Sequence, residues 1–310
     1  MRGTDFSLSP SPFPLMHVRI RVAETDADLE AWRQVRIAVL PYERCASVEW
    51  MRKSMTPERV YLLAELDGVV AGSGLSCRSD FGYAGLHPRV LPAFRRRGVG
   101  TALLRALSEH AVAHGFDQAG TNVDDPGSLV FAERFGAVEV DRQIEQVREV
   151  GVEPGPETPG WLEIVPVADR PELWAAAYDQ LAQQAFADMA TYRPVLVTRE
   201  QWERDWLAWP EGMFLALVDG EVVGCAGLER DDDDPSRAEN ALTAVLRDWR
   251  GRGVATVLKR TTLAFAAENG IRQIYTWTQT ANEGMRALNE GLGYRYGNVS
   301  ITVRADLPID

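Results

Sequence analysis

The sequence predicts an α/β chain built as two mixed domains in tandem, each a largely antiparallel sheet flanked by helices. Three observations predict this. A hairpin signature occurs twice, a basic glycine-rich turn opening a helix occurs twice, and a Pro/Gly-rich stretch lies between the copies. With 310 residues, the chain suits two domains of roughly 150 residues each. A composition of 45% hydrophobic and 25% charged residues lets each bury a core.

The elements follow in order. Residues 1–16, MRGTDFSLSPSPFPLM, are Ser/Pro-rich without an apolar run, so they read as a disordered leader rather than a signal peptide. The first domain, 17–149, opens with a strand and a polar turn into a helix, RIRVAETDADLEAW from Arg19. It continues with YLLAELDGVVAGSGL, two apolar strands around Asp67-Gly68. Residues 150–160, VGVEPGPETPG, cannot continue a helix or a central strand and form the linker. The second domain, 161–310, repeats the opening as LEIVPVADRPELW and the hairpin as MFLALVDGEVVGCAGL around Asp219-Gly220. Asp-Gly between apolar runs is a strong hairpin signal.

The tightest match is RRRGVGTALLRALSEHAVAHG from Arg95 against RGRGVATVLKRTTLAFAAENG from Arg250. In both, a glycine precedes the helix (Gly98, Gly253) and another follows it (Gly115, Gly270), where a helix end favours a left-handed residue. Val99, Leu103 and Leu107 form an apolar stripe, as do Val254, Leu258 and Leu263. A strand and a short helix then end in Phe135-Gly136-Ala137 or Leu292-Gly293-Tyr294. Unrelated domains would not share this order and spacing, so the chain is a duplication.

Charge and cysteine content exclude several classes. With 33 basic against 45 acidic residues, the net charge of −12 argues against a nucleic-acid or anionic-membrane partner. No window of 18 apolar residues offers a membrane span. Cys45, Cys77 and Cys225 are odd in number and scattered, which reads as reduced thiols in a cytoplasmic protein. His110 and His114 lie one helical turn apart, but no third ligand accompanies them, so no metal is expected.

The repeated turn carries the chemistry. Its glycines let the backbone approach a ligand, and the first helical amides lack internal partners, which makes an anion cradle. Neither copy has the Gly-Lys-Ser/Thr of a nucleotide-hydrolysing loop, and after Gly98-Val99-Gly100 come Thr101, Ala102 and Leu103 rather than a third glycine. Arg95-Arg96-Arg97-Gly98-Val99-Gly100 and Arg250-Gly251-Arg252-Gly253-Val254-Ala255 resemble the acyl-CoA-binding signature of the GCN5-related N-acetyltransferases. The block from Thr278 to Tyr294 is similar to that family's closing motif, and Asn122 to Ala137 is a rougher version of it.

The resemblance implies two acyl-CoA N-acyltransferase-like domains. Val90-Leu91-Pro92 and Val245-Leu246-Arg247 would lie along the pantetheine arm of acetyl-CoA, the acyl donor. The amides of Arg97, Gly98, Val99, Gly100, Thr101, Ala102 and Leu103 would hold its pyrophosphate. In the second copy Arg252, Gly253, Val254, Ala255, Thr256, Val257 and Leu258 would do the same, with Asn282 of the closing motif also on the donor. Where the family often has a tyrosine acid, this chain has Ala132 and Asn289.

Acyl transfer to a small-molecule amine needs a base for the amine proton and a donor for the oxyanion. All four histidines lie in the first half. Glu239, at the entry of the strand leading to Val245, is the candidate base in the second half, and the Val245 amide the candidate oxyanion donor. His87 and Tyr83 are weaker candidates in the first. Asp231 to Asp234 read as a solvated loop, or as a rim attracting a cationic amine. Trp202, Trp206 and Trp209 read as a helix–core stripe, or as an acceptor pocket. The fuller closing motif points to the second half as the catalytic one. The rival reading is a degenerate acyl-CoA-binding sensor or scaffold with one or both halves inactive.

Overall fold

The computed structural model describes residues 17–310, so the leader expected over 1–16 lies outside the described residues. The first copy runs β1 (Val18–Val22), α1 (Asp26–Val39), α2 (Val48–Lys53), β2 (Val60–Leu66), β3 (Val69–Arg78), β4 (Ala84–Leu86) and β5 (Arg89–Val90). It continues with α3 (Val99–Ala113), β6 (Gln118–Val123), α4 (Pro126–Arg134) and β7 (Val138–Glu149). In the second copy β8 (Glu163–Pro166) leads to α5 (Glu172–Ala177), α6 (Gln183–Ala187) and α7 (Arg199–Asp205), with a π-helical turn joining α5 to α6. The rest is β9 (Met213–Val218), β10 (Glu221–Arg230), β11 (Arg237–Asn240), β12 (Ala244–Val245), α8 (Val254–Glu268), β13 (Gln273–Gln279), α9 (Glu283–Gly291) and β14 (Arg295–Asp306).

Local chemistry sets the elements. The Thr25 hydroxyl and the Asp28 carboxylate cap α1 reciprocally. Asp67 and Gly68, and likewise Asp219 and Gly220, all have positive φ, which matches the twist of a tight hairpin. Leu103 and Leu107 on α3, and Leu258 and Leu263 on α8, are buried against the sheet. The stripe predicted for each helix is therefore its core face.

The two halves share one sheet of 14 strands, ordered β1-β2-β3-β4-β6-β14-β7-β13-β11-β10-β9-β8, with β5 on β3 and β12 on β10. The last strand of each copy is exchanged. β14 pairs antiparallel with β6 of the first copy, and β7 pairs antiparallel with β13 of the second. β7 and β14 also pair with each other. The chain end follows β14 into the first core: Leu307 donates to the Asp117 carbonyl and Ile309 to the Ser108 hydroxyl, both at 2.8 Å. Residues 150–160 form no helix or strand, and Val150 is tied to Arg272 at 2.8 Å.

The aspartate run lies in a loop in which Asp232, Asp233 and Asp234 are exposed, as the solvated-loop reading expects, but the loop is tied down. Asp233 pairs with Arg33, and Asp232 accepts the Ser47 amide at 2.9 Å, so two of the four clamp the first copy's α1–α2 region. Asp231, 4% exposed, turns inward toward Arg237. Of the tryptophans, Trp202 is fully buried and stacks on Trp174 at 4.1 Å. Trp206 packs on the same cluster. Trp209 falls beyond α7 and packs against Phe265. Trp202 and Trp206 are core, whereas Trp209, packed on Phe265, also lines a separate cavity of about 510 Å³; none of the three lines the cavity at Glu239 described below.

Candidate functional site

In each copy two parallel strands start together and then separate. β11 and β13 are paired from Arg237↔Gln273 to Glu239↔Tyr275, after which β12 pairs only with β10. β4 and β6 are paired at Ala84↔Ala119 and Gly85↔Gly120, after which β5 pairs only with β3. Past that point lies an open wedge. Leu246 donates to Val223 at 2.9 Å, and Leu91 to Ala71 at 3.0 Å. Because backbone amides alternate along a strand, those of Val245 and Val90 point the other way, into the wedge.

Arginine braces each wedge. Arg250 Nε donates to the Val245 carbonyl at 2.9 Å, and Arg95 Nε to the Val90 carbonyl at 3.2 Å. Of the Val-Leu-Pro and Val-Leu-Arg segments, only the valine amides are therefore left facing the wedge. Pro92 has no N–H. The Arg247 amide is held by Gln184 at 2.7 Å and its guanidinium by Asp188.

Beyond the wedge, Gly98 and Gly253 open α3 and α8 in the left-handed region, both at φ 84°, without a side-chain cap or an acidic residue in the first turn. The first helical bonds are Ala102 to Gly98 and Val257 to Gly253, both 3.0 Å. That leaves the amides of Val99, Gly100 and Thr101, and of Val254, Ala255 and Thr256, without helical acceptors. The amides of Ala102, Leu103, Val257 and Leu258 belong to the helical ladder, and both leucine side chains are in the core. A Cβ added at Gly98 or Gly253 would meet no atom within 4 Å, so both glycines face open space. The guanidinium of Arg97 lies over Phe94, and that of Arg252 over Trp249. These orphan amides at the positive end of a helix fit a pyrophosphate. Asn282 is spent differently, since its side-chain oxygen caps α9 through the Met285 amide at 3.2 Å.

The copies diverge at the end of the parallel ladder. In the second, Glu239 lies beside Tyr275, whose hydroxyl donates to Glu239 Oε2 at 3.3 Å. Arg44, from the first copy's α1–α2 loop, approaches the same oxygen at 3.8 Å and pairs with Glu229. Its amide also donates to the Tyr275 hydroxyl at 2.8 Å. Glu239 is set deep in protein, yet its side chain keeps 30% exposure because a cavity of about 360 Å³ opens onto it. Desolvation raises its carboxyl to about 7, with Glu229 and Glu43 acting in the same sense and Arg44 and Tyr275 opposing. Trp277, Asn122, Gln143, Arg36 and Glu43 also line the cavity, so both copies contribute walls.

The first copy has none of this. By register, Gly85 stands where Glu239 does and Gly120 where Tyr275 does. A Cβ at Gly85 would lie 2.9 Å from the His87 ring, and one at Gly120 would lie 2.7 Å from Tyr83. Those two candidates fill the space of the missing pair. His87 is bonded to Thr121 at 3.0 Å and held by burial at about 3, far below its usual value. Tyr83 is buried and pushed up. Neither suits a base.

Asn289, at the position of the family's tyrosine acid, is fully buried between Lys259 and Gln146. His110 and His114 stack at 4.3 Å, and no group of three His, Cys, Asp or Glu side chains is placed to hold a metal among the described residues. The three cysteines are free, and no helix among the described residues is long and apolar enough to cross a membrane. Sequence reasoning missed Tyr275, which the strand pairing to Glu239 would have indicated. It also missed Arg44, for which the sequence carries no local signal.

Comparison with known proteins agrees with this geometry. The model of the acetyltransferase (GNAT) family matches residues 27–137 and 174–294. The chain belongs to the GNAT family. It is a tandem N-acetyltransferase, one family domain in each copy. A mycothiol acetyltransferase of Thermomonospora curvata is 28% identical over 266 residues, covering 80% of this chain and 82% of that protein. N-alpha-acetyltransferase 30 of Schizosaccharomyces pombe is 30% identical over 88 residues, 28% of this chain and 59% of that protein. Among solved structures, a tandem GNAT protein from the clavulanic acid biosynthesis pathway superposes with a TM-score of 0.73 at 20% identity, over 95% of this chain and all of that one. A GCN5-related N-acetyltransferase from Sphaerobacter thermophilus gives 0.71 at 20% identity, over 93% and 95%.

Proposed function

We propose that this acetyltransferase moves an acetyl group from acetyl-CoA to the amine of a small molecule by direct attack, at the wedge of the second copy. The observation that carries the reading is the pairing of Glu239 with Tyr275 at the end of that wedge, opposite Gly85 and Gly120 in the first copy. Acetyl-CoA supplies a thioester whose carbonyl carbon accepts the amine and whose thiolate leaves.

Each step falls to a named group. The amides of Val254, Ala255 and Thr256 hold the pyrophosphate, which sends the pantetheine arm along β12. Glu239 receives the ammonium proton directly or through one water, and a carboxyl near 7 suits that task at neutral pH. The nitrogen lone pair then attacks the carbonyl, and the Val245 amide donates to the oxygen as charge develops there. The C–S bond breaks as the amide forms, and the second proton of the attacking nitrogen passes to the departing thiolate, directly or through water, to give free CoA thiol. A thiolate near pKa 8.5 leaves readily, so the missing tyrosine acid is survivable. Holding both reactants in one cleft supplies much of the remaining acceleration.

A cavity of about 360 Å³ suits a small acceptor. The mycothiol acetyltransferase relative spans 80% of the chain, against 28% for the N-alpha-acetyltransferase, which favours a small molecule over a protein N-terminus. The first copy keeps the glycine turn with its orphan amides but has no base, which favours acyl-CoA binding without turnover there. The test is release of free CoA thiol from acetyl-CoA across a panel of amines. Turnover by the wild type, lowered about 10²–10⁴-fold in Glu239→Gln, supports the reading. Thiol release unaffected by that substitution overturns the assignment of the base.

A further inference from the structure

The wedge of the second copy carries a fastening that the first copy lacks. Gln180 lies in the π-helical turn, Gln184 in α6, and Asp188 closes the end of α6, so three polar side chains recur at every fourth residue along one helix face. Each captures a group of the wedge. The Gln180 side-chain oxygen accepts the Val222 amide at 3.0 Å, where β10 bulges just before Gly224, the partner of Val245. Gln184 accepts the Arg247 amide at 2.7 Å, at the far end of the Val245-Leu246-Arg247 segment. Asp188, its side chain 13% exposed, takes the two arginines that follow Val245. Both its oxygens lie 3.0 Å from Arg247 Nε, and Oδ2 accepts from Arg250 Nη2 at 2.6 Å.

This chain of bonds ends on the strand that carries Val245. Arg250 spends Nε on the Val245 carbonyl at 2.9 Å and Nη2 on Asp188, so its planar guanidinium is a strut between carboxylate and strand. Both arginines are largely exposed, and ion pairs of that kind add little to stability. Holding geometry is the effect left for a carboxylate that bridges both. The first copy is the control. Pro92 stands there in place of Arg247, and Arg95 reaches the Val90 carbonyl at a longer 3.2 Å. Among the described residues Arg95 has no carboxylate within 4.0 Å. The arginines of α1 turn elsewhere, Arg33 to the Ala46 carbonyl and Asp233, and Arg36 to Glu43. The strut is therefore anchored only in the copy that has the Glu239–Tyr275 pair.

We propose that Asp188 is a positioning residue: through Arg250 it fixes the Val245 segment so that the Val245 amide meets the thioester oxygen in the geometry the developing charge needs. The proposal rests on the reading of Val245 as the oxyanion donor given above. A donor moved slightly out of place stabilises the transition state less, while the ground state stays bound. Asp188 also offsets two positive charges next to the glycine turn, Arg250 standing just ahead of Gly253 in the chain. Its loss leaves acetyl-CoA, a polyanion, facing more positive charge. Turnover and donor affinity should therefore not fall together, a split that loss of structure does not imitate.

Isotope-edited infrared spectroscopy of acetyl-CoA labelled at the acetyl carbonyl reads the amide without any acceptor. The Gly98→Val protein serves as parent, so that the donor is read at the second copy. In the parent the bound carbonyl band is expected below the frequency of free acetyl-CoA, and adding Asp188→Asn is expected to return it most of the way. In thiol release with an accepted amine, Asp188→Asn is expected to lower kcat about tenfold or more, with calorimetric affinity for acetyl-CoA equal to the parent or tighter. Arg250→Lys, which keeps the charge but not the planar strut, should lose kcat as much, and the double variant should be no slower than Arg250→Lys alone. Asp188→Glu, which keeps the carboxylate, should recover most of the rate. An unshifted band in the parent, a band insensitive to Asp188→Asn, additive rate losses, or rate and affinity falling together overturns the proposal. The two readings fail separately. A band that responds to Asp188→Asn while no amine releases thiol sinks acetyl transfer to an amine and leaves the placement of Val245 by Asp188 standing. Thiol release that Asp188→Asn does not slow sinks that placement alone.

Discussion

The Lys259 ammonium donates to the Asn289 side-chain oxygen at 2.7 Å, inside a core where neither residue is more than 2% exposed. Asn289 passes the link to Gln146 on the exchanged strand β7 at 2.9 Å, and the Tyr294 ring faces the ammonium at 4.9 Å. Among the described residues no carboxylate lies within 4.0 Å of the charge, and desolvation lowers Lys259 to about 7. In the unfolded chain it returns to about 10.4. Between those values the unfolded chain holds the extra proton, so stability should rise with pH from about 7 to about 10 and be unaffected by this group below 7. A shift of about three units corresponds to a cost on the order of 4 kcal/mol below pH 7. Changing Lys259→Met together with Asn289→Leu, which resembles the apolar Leu104 and Ala132 of the first copy, should raise the melting temperature by several degrees at pH 6 and by little at pH 10. Thermal melts across pH check this. An equal gain at both ends would mean that charge burial is not the cause.

Arg44 and Glu239 link the copies at the proposed base, 3.8 Å apart. With the carboxyl near 7, kcat/KM for an accepted amine should rise with pH to a midpoint near 7 and then level. Arg44 favours the ionised carboxylate, and it also neutralises Glu229, whose charge disfavours it. Arg44→Met removes both effects and should move the midpoint to higher pH. Tyr275→Phe removes a bond to the carboxylate and should shift it the same way. Rate profiles of the three proteins decide, and a midpoint unmoved in both variants would detach Glu239 from the chemistry.

Much of the fold was legible because duplication doubles each weak signal. One Asp-Gly or one Gly-x-Gly turn says little, but two in the same order fix a supersecondary plan. The turn that opens each long helix was legible for the same reason, down to the left-handed Gly98 and Gly253. Strand exchange was not, because β7 and β14 alternate alike and nothing local says which neighbour each takes. The contribution of Arg44 to the second copy's site follows from that exchange and from the aspartate clamp, both long-range facts. Glu239 was reachable by position along its strand, whereas the reason it is proposed as the base, its burial beside Tyr275, exists only once the sheet is assembled.

Gly253→Val and Gly98→Val test the cradles separately. At φ 84° a β-branched residue is strained by about 1–3 kcal/mol. Because no protein atom lies within 4 Å of the new Cβ, the added bulk occupies ligand space rather than core. Each change should weaken acetyl-CoA binding at its own copy at least tenfold, and only Gly253→Val should lower turnover to match. Gly253→Ala, with most of the strain and little of the bulk, should fall between. Calorimetric stoichiometry with acetyl-CoA, beside thiol release, reads both effects. Activity lost in Gly98→Val but kept in Gly253→Val would move the chemistry to the first copy.

The exchanged strands make the two copies fold as one. β6 has β14 as its outer neighbour over Val123 to Gln118, and the chain end packs Leu307 and Ile309 onto the first core. β13 has β7 over its whole length. Ending the chain at Tyr294 would leave β6 as an open edge and strip apolar cover from α3, while β7 would lose its pairing with β14. The intact protein should therefore unfold in a single calorimetric transition whose enthalpy equals the van't Hoff value, although its sequence holds two domains. The chain cut after Tyr294 should lose structure in both copies, seen as lost amide protection in β2 and β3 as well as in β13. Residues 17–149 alone should be aggregation-prone, with the long strand β7 unpaired on both sides. Adding a peptide of residues 295–310 to the cut chain should restore the transition, because it returns the missing neighbour of both β6 and β7. Two separate transitions in the intact protein, or a stable fold for residues 17–149 alone, would show that the shared strands contribute little to cooperativity.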